Sequence, residues 1–318
     1  MKESLQEFNF NFLNELRNLH WRQWAALGVA ADIEPEKDTV VDIEALIVST
    51  FAMRKLDLRM FEAMIEWVFT NKEFVFASRI SRIGREFANR KLGKNVRLVD
   101  EDKVEMLKQI IKYRSVYKGI REGIPKDLVA VDEEEWRGKK DTFEFRDIIT
   151  KPAYSDASSL HLRLRSYFGT DARADVMLYL LLNTEGNSYS IAKEIYHDQK
   201  NVYRILEQWS DAGMVQKIEE PRKNRYSLTG KKDWMKVFGL KNVPNYVPWV
   251  RTFLLYDTIA KALLTEPWHS DEYLMGSLLK DLENEMKAVA MADGERGAVG
   301  NLQEYVNQFL LREAGVKY

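Results

Sequence analysis

The chain has 318 residues, 45% of them hydrophobic and 31% charged, with a formal net charge of −1. That balance is ordinary for a globular protein of two or three domains. No cysteine is present, which excludes disulfides, thiolate metal sites and cysteine nucleophiles.

From the N-terminus, Leu5, Phe8, Phe12, Leu16 and Leu19 recur at spacings of three and four, the apolar face of one helix. Asp42 is placed to cap a second helix carrying Ile43, Leu46, Ile47 and Phe51. Asp57 is placed to cap a third carrying Phe61, Met64, Ile65 and Val68, with Asn71 as its stop. Ser78 is expected to open a basic helix from Arg79 to about Arg90, ended by Gly93; a further helix covers about 103–120, before Gly123 and Pro125. Residues 1–125 thus read as an N-terminal helical domain. Over 126–157 the periodicity fades: the acidic run Asp132–Glu135, Gly138 and Pro152 mark a linker or partly extended connection, with a short strand at Thr142–Ile149.

Residues 158–241 read as a third unit. Ala172–Leu182 supplies Val176 and Leu180 to a small core. Ser190–Tyr196 follows, with Ile191 and Ile195 one turn apart and Ala192 beside them. Asp198 can cap the next helix, which turns Val202, Ile205, Leu206 and Trp209 inward. Gln199, Lys200, Asn201, Tyr203 and Arg204 are left near its outward N-terminal end. Met214–Glu219 and Arg225–Thr229 then read as two strands, with Pro221-Arg222-Lys223-Asn224 at their tip. After a boundary at 242–248, which holds Pro244 and Pro248, helices at Trp249–Leu264, Ser270–Ala290 and Gly300–Arg312 form a C-terminal helical segment, 242–318.

The run Ile191-Ala192, Ile195, Val202, Leu206, Trp209 and Ala212-Gly213-Met214-Val215 resembles the winged helix-turn-helix regulators of the MarR-like and ArsR-like families over about residues 172–240. The resemblance implies a mainly α fold: a helical N-terminal domain, a central winged helix-turn-helix with a small β-wing, and the C-terminal helical segment. It also implies a recognition helix whose Gln199, Lys200, Asn201, Tyr203 and Arg204 meet bases and phosphates, and a wing whose Arg222, Lys223, Asn224 and Arg225 touch backbone or minor groove. The chain departs from the family pattern at Tyr196, where the turn often has glycine, and at His197, an adjacent apolar core position. The implied partner is double-stranded DNA, bound by a homodimer at half-sites about 10 base pairs apart or a multiple of that.

Local charge is permissive of that partner. Residues 158–240 hold 13 Lys+Arg against 10 Asp+Glu, and residues 76–126 hold 14 against 6. Arg79, Arg82 and Arg85, at i, i+3 and i+6, form a stripe that would be a solvated helix face or a phosphate-tracking surface.

Enzyme signatures are poor fits. Gly230-Lys231-Lys232 lacks the rest of a phosphate loop, Gly276-Ser277 stands too close to Asp281 for a nucleotidyltransferase motif, and His20, His161, His197 and His269 show no ligand spacing. Trp249, Phe253 and Tyr256 could form a dimer face or a hydrophobic ligand pocket, with core packing the preferred reading. No catalysis, cofactor or metal is expected. The expected function is a sequence-specific DNA-binding transcriptional regulator; the alternative is a protein-interaction scaffold or accessory subunit whose winged helix docks a protein. The acidic opening Met1–Glu7 does not suit a signal peptide, and the longest apolar run, Val176–Leu182, is far short of a membrane span, so a cytoplasmic protein is expected.

Overall fold

The computed structural model describes residues 4–92, 96–99, 107, 124–125, 142–143, 145–221, 223–245, 247–293 and 299–313. The predicted helix at 103–120 apart from Leu107, the acidic run at 132–135, Gly93 and Arg222 lie outside them. The protein is mainly helical, with small antiparallel two-stranded sheets.

Helix α1 (Leu5–Ala26) begins at a reciprocal cap, Ser4 Oγ accepting from Glu7 N at 3.1 Å and Glu7 Oε2 from Ser4 N at 2.6 Å. Its apolar stripe is buried as the spacing predicts. Helices α2 (Ile43–Ala52) and α3 (Leu58–Thr70) are capped by Asp42 and Asp57, again as predicted. Helix α4 (Ala77–Asn89) departs from expectation: its cap position is Phe76, not Ser78. Phe76 has no side-chain oxygen to offer, and its own amide is held by Glu44 Oε1 at 2.9 Å. Two short antiparallel strands, β1 (Lys91–Leu92) and β2 (Val96–Arg97), follow, and β3 (Ile124–Pro125) pairs with β4 (Thr142–Phe143). Strand β4 is shorter than the predicted Thr142–Ile149, because the chain beyond it is held by other partners. Glu66 accepts from the amides of Arg146 (2.8 Å) and Ile148 (2.9 Å), and Gly28 O accepts from Thr150 N (2.7 Å). Gly28, at φ +94°, is required here: a Cβ would stand 2.3 Å from Thr150 O.

Helices α5 (Leu160–Phe168), α6 (Ala172–Leu182), α7 (Ser188–Glu194) and α8 (Gln199–Asp211), the hairpin β5 (Val215–Ile218) and β6 (Arg225–Leu228), and α9 (Lys231–Val237) enclose a separate core. Tyr226, Leu206, Leu180 and Ile191 lie at its centre. Helices α5 and α9 have no counterpart among the predicted elements. Four helices close the chain: α10 (Trp249–Leu263), α11 (Glu272–Asp281), α12 (Glu283–Asp293) and α13 (Gly300–Glu313). The single helix expected over 270–290 divides at Leu282, and Asp271 caps its first part by accepting from Leu274 N.

These last helices complete the first core. Phe8 of α1 stacks on Phe309 of α13 with centroids 4.6 Å apart, and Trp249, Phe253 and Tyr256 of α10 are buried among residues from α1 to α4. Within this body lies a sealed polar chain. His20 Nδ1 lies 2.8 Å from Leu16 O, and Ser49 Oγ lies 2.6 Å from His20 Nε2 and 2.7 Å from Asp257 Oδ2. Burial pushes His20 down to about 4 and Asp257 well above the carboxylate range. His20 is therefore neutral near pH 7. Its Nδ1–H donates to Leu16 O, which leaves Nε2 as an acceptor facing Ser49 Oγ. No described helix is long and apolar enough to cross a membrane.

Candidate nucleic-acid interface

Helix α7 starts at Asn187, whose side chain accepts from Tyr189 N and Ser190 N, while Ser190 Oγ accepts from Asn187 N at 3.1 Å. Helix α8 starts at Asp198, which accepts from Asn201 N at 3.1 Å. Val202, Ile205, Leu206 and Trp209 are buried beneath it, as their spacing predicts. The opposite face of its first two turns is open: Gln199, Lys200, Tyr203 and Arg204 are exposed and Asn201 is half-buried, its Oδ1 accepting from Arg204 Nη2 at 2.9 Å. Strands β5 and β6 pair in register from Val215↔Leu228 to Ile218↔Arg225, which brings the segment between them beside α7. Lys223 Nζ stands 5.5 Å from the centroid of the Tyr189 ring.

Gln199, Tyr203, Lys223 and Asn224 line one open groove together with Asn187, Ser188 and Tyr189. Four of the predicted contact residues therefore face one shared space, with Tyr189 (54% exposed) and Tyr203 (46%) as its aromatic surfaces. Lys200, Asn201 and Arg204 lie on the same helix end but outside the groove lining. Arg225 differs from expectation: it forms ion pairs with both Glu185 and Glu220, so its charge is already matched. Sequence reasoning missed Tyr189, although its place in the first turn of α7 was the signal available.

The α7–α8 turn explains the departure at Tyr196. This residue has φ +57°, the left-handed region that glycine enters without steric cost. It is half-buried against the helical body, and burial together with the nearby Glu86 pushes its hydroxyl up to about 12. His197 is buried and stacks on Phe76 with centroids 5.3 Å apart.

Beneath the turn lies a cluster of charged side chains joining both cores. Arg79 of α4, only 4% exposed, donates through Nε to Ile195 O at 2.8 Å and pairs with Asp42 and, at 2.8 Å, with Glu44. Arg79 therefore does not belong to the exposed stripe that its spacing from Arg82 and Arg85 suggests. Arg165 of α5 donates to both Glu44 oxygens at 2.6 Å and reaches Asp175 of α6 at 3.4 Å. Asp175 also accepts from Nε2 of His161 (2.6 Å) and of His197 (2.7 Å). Burial pushes the Asp42, Glu44 and Asp175 carboxyls up, but the arginines beside them carry all three below the usual range. Asp42, Glu44 and His161 bring potential metal-ligand atoms within 4.8 Å of one another. Two guanidiniums already occupy the place a cation would take, so the arrangement does not favour a metal.

A second open groove runs on the far side of the turn, between Arg82, Arg85, Glu86 and Asn89 of α4 and Ala192, Lys193, Tyr196, His197 and Arg251. The Arg82 guanidinium lies 3.9 Å from Asp198. Comparison with known proteins returned no matching family model, no matching curated protein and no matching solved structure.

Proposed function

We propose that residues 172–228 form a winged helix-turn-helix that binds double-stranded DNA, so that the chain acts as a sequence-specific transcriptional regulator without catalysis of its own. In this reading α6, α7 and α8 are the three helices, α8 enters the major groove, and the β5–β6 hairpin is the wing. The observation that carries it is the exposed N-terminal half of α8 sharing one groove with Lys223 and Asn224 of the hairpin. Asn201 and Gln199 offer amides suited to adenine edges, and Lys200 and Arg204 offer cations for phosphates or guanine.

Anisotropy titration of a fluorescein-labelled duplex at several salt concentrations tests the reading. Lys200→Ala with Arg204→Ala should weaken binding and flatten the salt dependence by roughly 0.9 in log–log slope for each phosphate no longer neutralised. Asn201→Ala should instead broaden the sequences recovered from a random duplex pool. Absence of duplex binding by the unaltered protein at low salt defeats the proposal. A second reading, docking of a protein partner through the same face, draws on the exposed Tyr189 and Tyr203 and on the neutralised Arg225. It predicts a stable complex on pull-down and no duplex affinity.

A further inference from the structure

We infer that the phosphate-binding surface continues from α8 onto α4 of the helical body, where Arg82 and Arg85 hold the sugar–phosphate backbone of the same duplex beyond the stretch read by α8. The inference rests on the DNA-binding reading above. Arg82, Arg85, Glu86 and Asn89 recur at i, i+3, i+4 and i+7, a single stripe of α4, and this stripe forms one wall of the second groove. Lys193 and Arg251 stand on the other wall. The stripe begins beside α8: Arg82 reaches Asp198, the residue immediately before Gln199, at a distance too long for a hydrogen bond. Phosphate cations on α4 and base-facing groups on α8 are thereby placed side by side.

Charge and exposure favour a polyanion. Arg82 and Arg85 are exposed, as is Lys193, and Arg85 and Lys193 make no ion pair among the described residues. Of the acidic side chains nearby, Glu194 is drawn off by Arg251 at 2.6 Å, which leaves Glu86 on the stripe and Asp198 beside it, 3.9 Å from Arg82. The stripe is also held firmly. One turn before Arg82, Arg79 is locked into Asp42, Glu44 and the Ile195 carbonyl, which fixes α4 against the α7–α8 turn. A row of cations fixed in place suits a chain of phosphates. The groove's apolar surface is Ala192 and the half-buried Tyr196, little for the buried aromatic or aliphatic anchor that a protein partner uses.

The test uses the full chain and a fluorescein-labelled duplex of about 30 base pairs of mixed sequence, titrated by anisotropy across a salt series. Four variants are compared with the unaltered protein: Arg82→Ala with Arg85→Ala, Arg85→Ala alone, Lys200→Ala with Arg204→Ala, and Lys280→Ala on α11, which lines neither groove. The α4 pair is expected to lower affinity and to reduce the slope of log K against log salt by up to about 2, at roughly 0.9 per phosphate. Arg85→Ala alone should give about half that change, and Lys280→Ala should give none. The single variant guards against a folding artefact, since Arg85 has no ion pair to lose. If the α4 variants match the unaltered protein while Lys200→Ala with Arg204→Ala loses affinity and slope, the extension onto α4 is wrong and the DNA-binding reading stands. If the unaltered protein shows no salt-dependent duplex binding, both are wrong.

Discussion

The charged cluster beneath the α7–α8 turn and the His20–Ser49–Asp257 chain both lie largely buried, yet the effect of burial is overcome in the first and prevails in the second. Around Arg79 and Arg165, burial alone would raise Asp42, Glu44 and Asp175, and the guanidiniums outweigh it. Around Ser49 no arginine is at hand among the described residues, so burial prevails: it pushes His20 down to about 4 and Asp257 well above the carboxylate range. The difference lies in what each segment brings. Helices α4 and α5 each carry an arginine to the seam, whereas α1, α2 and α10 bring only neutral donors and acceptors to Asp257. The direction in which a buried carboxyl shifts thus depends on its neighbours.

The largest effect should come from unbalancing the paired cluster. Arg165→Met leaves Glu44 and Asp175 buried without their shared cation, and urea unfolding should show a loss of about 3–5 kcal/mol. A loss below about 1 kcal/mol would mean that the cluster's charges are not held as these short ion pairs imply.

Acidification should separate the two constellations. His20 titrates at about 4 in the folded protein against an ordinary 6.5. The unfolded chain therefore takes up the proton first. Its contribution to stability is complete above pH 6.5 and falls away toward pH 4, by about 3 kcal/mol at 1.36 kcal/mol per pH unit. His20→Gln should remove that slope. The seam carboxylates act at lower pH, because their folded values are depressed: their contribution is present above the ordinary carboxylate range and is lost as pH falls through the folded values. Unfolding measured in a series of buffers from pH 7 to acid would resolve the two falls, and a profile for His20→Gln unchanged from the parent would overturn the account of a neutral His20.

Asp257 should respond in the opposite sense to His20. Its folded value is raised, so its contribution is present below the ordinary carboxylate range and is lost as pH rises. Asp257→Asn keeps a hydrogen-bonding partner for Ser49 without an ionisable proton. Its stability should lie within about 1 kcal/mol of the parent near pH 4 and exceed the parent at pH 7. Equal differences at both pH values would sink the assignment.

Much of the helical framework was legible because it is written locally. Asp42, Asp57 and Asp198 cap the helices expected of them, and the apolar stripes of α1, α3 and α8 are buried where spacings of three and four place them. The charged seam was not legible. Asp42, Glu44, Arg79, Arg165 and Asp175 come from four separate helix beginnings or bodies, and no local pattern links them. Arg79 did carry a hint: it shares a face with Ile83 and Phe87 at i+4 and i+8, both buried, whereas its spacing to Arg82 and Arg85 suggested a basic surface. In the candidate interface, the outward set on α8 was readable from the inward set. The partnering of Arg225 was not, since Glu185 lies forty residues earlier. The left-handed backbone at Tyr196 was visible only as a mismatch with a glycine-favouring turn.

The bond from Arg79 Nε to the Ile195 carbonyl bears on how this molecule can be cut. A fragment beginning at residue 158 would keep its own apolar centre but lose the guanidinium that secures the last carbonyl before Tyr196, along with Asp42 and Glu44. That carbonyl and Arg165 would then face solvent, and Tyr196 would hold its costly backbone angle without the wall it leans on. The unit that presents α8 is accordingly not a transplantable cassette. Any graft meant to carry its geometry elsewhere has to bring α2 and α4 with it.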